Sequence, residues 1–397
     1  MGSVRSDSRT HSLNPLEALT LDELRRRTSE KWHANEPDVL PLGVAEMDVP
    51  LATPVVQALT QALEAGNTGY TGPTSTPRYA QAFDHFARAR WGWTGIREPL
   101  TCLVPAVMRG LAGLVRGLTR PGDTVVTDAP FYPPFKELVE ACGRRFVAVP
   151  LGPGHRLDTD RLDSVFAAAA RDSRQALYLL CSPQNPTGTV HTAEELGRIA
   201  DMTARHGVRV VADESHAPLV AGGVRFVPYL SVPGTQSALS VLSAAKAFNL
   251  GGLKAAVVVA GSGAADDLGR LETEEEYGRS HLAVIAHCAA LYDGGPWLDS
   301  LLAGLDRNRR LARELLGHHL PKVPYEPADG TYFAWLDCRT LGLDSDPASS
   351  FLEHGRVALT PGGIFGTGGA GHARLNLATT PAILEEGIER MAMATGG

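Results

Sequence analysis

No apolar run in this chain approaches the ~20 residues needed to span a bilayer, so a membrane span is not expected. Cysteine is scarce. Cys102, Cys142, Cys181, Cys288 and Cys338 are scattered with no Cys-x-x-Cys pair, which argues against a zinc site or a disulfide frame and suits a reducing cytoplasm. No basic block occurs, and 37 Lys and Arg against 44 Asp and Glu leave a net charge of −7. Nucleic acid and anionic membrane surfaces are therefore poor partners. Residues 1–11 lack the apolar centre of a signal peptide, and 1–13 read as a loose tail. There is no internal repeat and no low-complexity tract. What remains is an ordinary enzyme composition, 44% hydrophobic and 20% charged, over 397 residues, enough for two domains.

Residues 16–27 read as a short amphipathic helix. Residues 39–50 form an extended, proline-bearing arm that should lie across something larger. Residues 54–65 and 78–91 are helical, the first with proline in its opening turn, and a glycine-rich loop between them presents Tyr70. From about residue 100 the texture changes. Short β-rich runs at 124–127, 145–151, 176–181, 208–212, 238–242 and 255–260 alternate with helical patterns at 106–119, 134–142, 159–171 and 192–206. Such alternation predicts an α/β fold with a mostly parallel sheet covered by helices on both faces. Helices at 282–292, 297–316 and 381–393, with strands at 331–336, 356–359 and 373–377, predict a smaller α+β domain. The expected division is an arm at 14–50 belonging partly to the small domain, a large domain at 51–285 and a small domain at 286–397.

Ligands of such sheets sit beyond the carboxyl ends of the strands. Three polar groups fall there. Asn185 stands between two prolines as a rigid amide or a turn residue. Asp213 closes a buried run, either as a helix cap or as a carboxylate that needs a cationic partner such as a protonated pyridine. Lys246, with Ser243 three residues before it and small residues around it, is either a surface lysine by a Gly-Gly turn or an amine nucleophile with a lowered pKa. Asn185 and Asp213 lie 28 residues apart, and Asp213 and Lys246 33 apart, each about one βαβ step, so the three should converge on one sheet edge.

The ordered set Val44-Ala45-Glu46-Met47-Asp48, Gly69-Tyr70, Asn185-Pro186-Thr187-Gly188, Asp213-Glu214-Ser215-His216, Ser243-Ala244-Ala245-Lys246-Ala247-Phe248-Asn249, Gly330-Thr331-Tyr332-Phe333 and Arg374-Leu375-Asn376-Leu377 resembles the fold-type I pyridoxal phosphate (PLP) enzymes. Within them it is most similar to the cystathionine β-lyase and C–S lyase branch of the class I/II aminotransferases, over residues 14–390. The resemblance implies that Lys246 holds the cofactor aldehyde and later moves the substrate's Cα proton, that Asp213 pairs with the ring nitrogen, and that Asn185 donates to the ring's phenolic oxygen. It implies Tyr132 stacked on the ring and His216 beside it. The phosphate would rest at the helix opening by Val107 and Met108, with Ser243 and Lys254 adding contacts. Arg374 would take the α-carboxylate, with Gly43, Ala45 and Tyr332 around the substrate. Tyr70 would reach a neighbouring subunit's site, so a homodimer is expected.

Two positions depart from the branch. Gly43 stands where a bulky aromatic is usual, and Ser215 where isoleucine is usual. If residue 43 lined the substrate mouth, its small size would open room for an S-substituent larger than that of cystathionine. The implied reaction is α,β-elimination from an S-substituted L-cysteine to thiol, pyruvate and ammonia. Aminotransfer, decarboxylation-coupled oxidative deamination, or a non-catalytic binding or regulatory role are the alternatives.

Overall fold

The computed structural model describes residues 14–271, 278–343 and 346–395. The expected tail at 1–13 lies outside them. Near the start a two-residue strand, β1 (Leu40–Pro41), precedes the helices Thr53–Glu64 and Ser75–Trp91. Then come β2 (Thr101–Val104), β3 (Thr124–Ala129), β4 (Arg145–Pro150), β5 (Leu177–Cys181), β6 (Arg209–Asp213), β7 (Leu239–Leu242) and β8 (Ala256–Ala260). These seven form one sheet in the order β2-β8-β7-β6-β5-β3-β4, with β8 antiparallel to both neighbours and the others parallel. β-Branched and small apolar residues make these strands, and β3, β5 and β8 are buried along their whole length, as helix-covered parallel sheets require. The crossover helix Ala193–His206 shows how sharply local chemistry sets the boundaries. Thr192 and Glu195 close a capping box at its start, and Gly207 ends it at φ 68° in the left-handed region.

A second layer carries β9 (Phe333–Asp337), β10 (Val357–Ala358), β11 (Thr360–Pro361) and β12 (His372–Asn376), with β11-β12-β9 as an antiparallel sheet. β1 pairs in parallel with β10, so the N-terminal arm is stitched to this layer. Leu40 and Leu42 share its core with Leu336, Leu375 and Ile388. Among the described residues, no helix is long and apolar enough to cross a membrane.

Three expectations need correction. The helix expected at 16–27 is broken, because Thr20 is extended (φ −81°, ψ 160°) and its capping box with Glu23 starts a fresh helix at Leu21–Arg25. The strand expected at 356–359 is only the two-residue β10, paired with β1, and the chain passes at once into β11 of the other sheet. Strand β2, four residues long, was not expected at all.

Candidate active site

The loops that leave the carboxyl ends of β2, β3, β5, β6 and β7 meet at one cleft. β6 delivers Asp213 as its last residue, followed by Ser215 and His216; β5 ends at Cys181 and leads to Asn185. β7 leads to Ser243, Ala245 and Lys246, and β3 leads to Tyr132. β2 runs into the helix Val107–Leu118, whose first two residues form another wall, and Ala45 of the arm closes the cleft. Convergence follows from strand adjacency, since β5, β6 and β7 are neighbours.

The electrostatics of the cleft are unbalanced. Burial raises the Asp213 carboxyl pKa, and hydrogen bonds from the Ser215 amide (3.0 Å) and hydroxyl, with the nearby Lys246 charge, only partly offset it. Burial also pushes Lys246 down to about 8, helped by Arg374 and opposed by Asp213 and Glu46. A lysine so placed holds a usable fraction of neutral amine near neutral pH. Arg374 is 5% exposed and has only neutral partners. Its Nη1 donates to Asn185 Oδ1 at 2.9 Å, and its Nη2 to the Gly43 carbonyl at 3.2 Å and Thr360 Oγ1 at 3.3 Å. Its Nε has no hydrogen-bond partner, and the guanidinium lies 3.9 Å from the Phe333 ring centroid. Burial lowers its pKa to about 10, so it stays charged at neutral pH. A buried cation without an anion is costly, and a carboxylate placed beside it would relieve that cost.

Because the Asn185 oxygen is taken by Arg374, its amide NH2 is the end left for the cleft. His216 is held neutral by burial and by Lys246 and Arg374, and stands edge-on to Tyr332 and Phe333. The Val107–Leu118 helix begins after Ala106, which has no side chain to cap it, and its first turn carries no acid. Its leading amides can therefore bind an anion. Ser243 Oγ donates to the Ala255 carbonyl at 2.7 Å and accepts from the Ala245 amide at 3.1 Å, so it braces the lysine loop.

The arm that closes the cleft is strapped down by residues from the other quoted motifs. Asn376 Nδ2 donates to the carbonyls of Val44 and Glu46, both at 2.7 Å, and Tyr332 OH to that of Ala45 at 3.0 Å. Asn249, in the left-handed region at φ 54°, accepts from the Met47 amide at 2.9 Å and donates to its carbonyl at 3.0 Å. Asp48 is buried on Lys31 and Trp32, 2.7 Å from each.

The expected site residues thus divide. Lys246, Asp213, Asn185, Tyr132, His216, Ser243, Val107, Met108 and Ala45 line one cleft, and Arg374 touches it through Asn185. Tyr332 is buried behind the arm and meets the cleft only through the Ala45 carbonyl. Lys254 is exposed, and Tyr70 projects fully from this chain (101%). The open space expected at Gly43 does not exist. A Cβ there would lie 2.8 Å from the Leu359 carbonyl carbon and 2.9 Å from the Thr360 amide nitrogen, so backbone already fills it. Cys181 was not singled out for the site, yet it lines the cleft with its thiol held neutral by burial and by Asp213. Its place as the last residue of a buried run was the available signal.

The model of the family "Aminotransferase class I and II" matches residues 37–391. A Mycobacterium tuberculosis protein named "Putative cystathionine beta-lyase" is 50% identical over 400 residues, covering 96% of this chain and 98% of that one. Cystathionine beta-lyase PatB of Bacillus subtilis is 34% identical, covering 90% and 92%. Among solved structures, the PLP-bound C–S lyase of Staphylococcus hominis superposes with a TM-score of 0.87 at 24% identity, covering 96% and 98%, and shares the fold.

Proposed function

Since the chain belongs to the aminotransferase class I and II family, we propose that it is a PLP-dependent C–S lyase acting on an S-substituted L-cysteine by α,β-elimination to thiol, pyruvate and ammonia. The observation that carries this reading is the meeting, in one cleft, of a depressed lysine, a buried carboxylate, an outward amide and an arginine without an anion.

The residues present fit the cofactor. A carboxylate whose pKa is raised by burial, with Ser215 and Lys246 only partly offsetting it, suits a protonated ring nitrogen, and the uncapped helix start suits a phosphate. When bound, pyridoxal phosphate supplies an electron-withdrawing ring that stabilises the electron pair left at the substrate's Cα. Asp213 would keep the ring nitrogen charged, Asn185 would donate to the phenolic oxygen, and Tyr132 would cover one ring face. The amides of Val107 and Met108, with Lys254, would hold the phosphate, and Ser243 would fix the loop beside it. Arg374 orients the amino acid by a two-pronged hold on its carboxylate, made stronger by burial. Lys246 Nζ, neutral in part because burial disfavours its charge, takes the Cα proton. Expulsion of the Cβ thiolate follows, and water completes release of pyruvate and ammonia.

On the same reading, residues 51–285 present the cofactor groups, while 14–50 and 286–397 present Arg374 and the strap, with substrate held between them. A second copy supplies Tyr70. Supporting a homodimer, helix Thr53–Glu64 leaves Val56 (46%) and Leu63 (57%) exposed close in sequence to that tyrosine. No disulfide joins the five cysteines among the described residues, which suits work in the cytoplasm.

The test is product analysis after incubating the PLP-loaded protein with a panel of S-substituted cysteines. Pyruvate and free thiol in equal amounts without an added keto acid are the expected result. A requirement for a keto acid, or release of carbon dioxide with an aldehyde, overturns the lyase assignment in favour of aminotransfer or oxidative deamination.

A further inference from the structure

Against the loop that carries Lys246, and outside the residues that line the cleft, lies a buried polar pair that the chemistry above does not use. Tyr79, on helix Ser75–Trp91, is fully buried, and so is His287, on helix His281–Asp293. Tyr79 OH and His287 Nδ1 are 2.8 Å apart, and His287 Nε2 lies 2.8 Å from the Leu253 carbonyl. A carbonyl only accepts, so Nε2 carries the proton and Nδ1 is the acceptor that receives the tyrosine hydrogen. The phenol oxygen lies near Ala244 and Ser243, where the lysine loop begins. One hydrogen-bonded run therefore leads from Tyr79, beside the start of the lysine loop, through His287 to Leu253, at its end.

The surroundings make this run rigid. Helix His281–Asp293 is buried on most sides, with Ala283, Val284, Ala286, Cys288 and Ala290 around its histidine. Burial pushes the His287 pKa down to about 4 and raises that of Tyr79, so neither ionises at neutral pH and the donor order is fixed. The Tyr79 ring packs edge-on against both Phe83 and His287. Left unpaired in such a setting, any of these groups would be costly, so the two helices hold the ends of the loop at one separation.

We propose that Tyr79 and His287 are positioning residues that clamp both ends of the Ala244–Leu253 loop, setting where the Lys246 amine stands and, through Leu253, where Lys254 stands. This rests on Lys246 being the lysine that holds PLP.

The test compares Tyr79→Phe and His287→Leu with Phe83→Leu, which loosens packing on the Tyr79 ring but leaves the hydrogen-bonding groups of the run in place. Three readouts are taken. They are amide hydrogen exchange of the 244–253 peptide in cofactor-free protein, the dissociation constant for PLP, and the pH midpoint of the visible absorbance band of the loaded protein. Tyr79→Phe and His287→Leu should each speed exchange of that peptide about tenfold and weaken PLP binding about tenfold, with a displaced midpoint, the scale of one lost buried hydrogen bond. His287→Gln, which can still donate to Leu253, should recover part of the exchange protection. Equal effects from Phe83→Leu, or exchange unchanged in both relay variants, overturns the clamp. Wild-type protein that binds no PLP overturns the cofactor reading instead, while the exchange experiment still decides the clamp.

Discussion

Replacing Arg374 by methionine should separate activity from stability. Moving its charge into the protein lowers the pKa from 12.5 to about 10, a penalty on the charged form of about 3 kcal/mol at ~1.36 kcal/mol per pKa step. Methionine removes that penalty. It also removes the contact with Phe333, worth about 0.5–2 kcal/mol. In addition it strips partners from Asn185 Oδ1 and the Gly43 carbonyl, about 1–3 kcal/mol for each that stays dry. The opposing quantities are of similar size, so the unliganded variant should unfold within about 2 kcal/mol of wild type, a few degrees in melting temperature at most. Catalysis should respond quite differently. Loss of a buried, charge-assisted hold on the carboxylate is worth about 2–5 kcal/mol, or ~30- to several-thousand-fold in kcat/KM. The assay is thiol release from an S-substituted cysteine, run beside the corresponding S-substituted cysteamine, which lacks the carboxylate. Wild type should prefer the amino acid by the same large factor, and Arg374→Met should show little preference. A variant that keeps its preference, or one that loses activity only because it no longer folds, refutes the assignment.

Stability of the cofactor-free protein should rise between about pH 8 and 10.5, the folded and unfolded pKa values of Lys246. In that window the unfolded chain binds a proton that the folded protein has released, and below it both hold one, so the gain reaches about 3 kcal/mol at high pH. Denaturant titrations of Lys246→Met should lack that slope, and an unchanged slope would show the amine to be well solvated. Gly43→Ala should destabilise by about 1–3 kcal/mol, because its Cβ meets the Leu359–Thr360 backbone; a neutral change in thermal unfolding would contradict the packing described. Finally, mixing Tyr70→Ala with Lys246→Met subunits should restore activity to about a quarter of wild type if each site borrows Tyr70 from the other copy of a two-fold dimer. No recovery after verified subunit exchange would mean that Tyr70 serves its own chain or none.

Sequence pattern was a good guide to most of the sheet because β3, β5, β7 and β8 are short, wholly buried runs and β6 is buried but for Arg209. Asp213, Asn185 and Lys246 converge for that reason, since they follow adjacent parallel strands. The link from β6 to β7 holds only a short 3-10 turn at Tyr229–Ser231 and no crossover helix, so its length resembled a βαβ step without being a helical one. Gly43 was misread for a non-local reason. A missing side chain suggests space, but the space is taken by backbone more than 300 residues later in the chain. The clamp of Tyr79 and His287 was equally hidden. Each sits in an apolar helical pattern where a lone polar residue reads as core, and only the packing of the two helices gives it a partner.

The motifs that identify the family need one another physically, which is why the ordered set says more than any member. Val44–Asp48 is an irregular segment whose backbone groups would be unpaired at the cleft. Asn376 of β12, Tyr332 beside β9 and Asn249 of the lysine loop supply its hydrogen bonds. The same strap presents the Gly43 carbonyl to Arg374, whose other arm fixes the amide of Asn185. Arg374 and Asn376 lie two residues apart on β12, so a shift of that strand would move the carboxylate hold and the strap together. Asn249, in turn, ties the strap to the loop carrying Lys246, three residues away. On the proposed reading, the groups for substrate carboxylate, cofactor oxygen and proton transfer would thus all be referred to a single hydrogen-bonded frame. Changing Asn376 to leucine should therefore disturb all three at once, raising KM and lowering kcat together, whereas Arg374→Lys should act chiefly on the carboxylate.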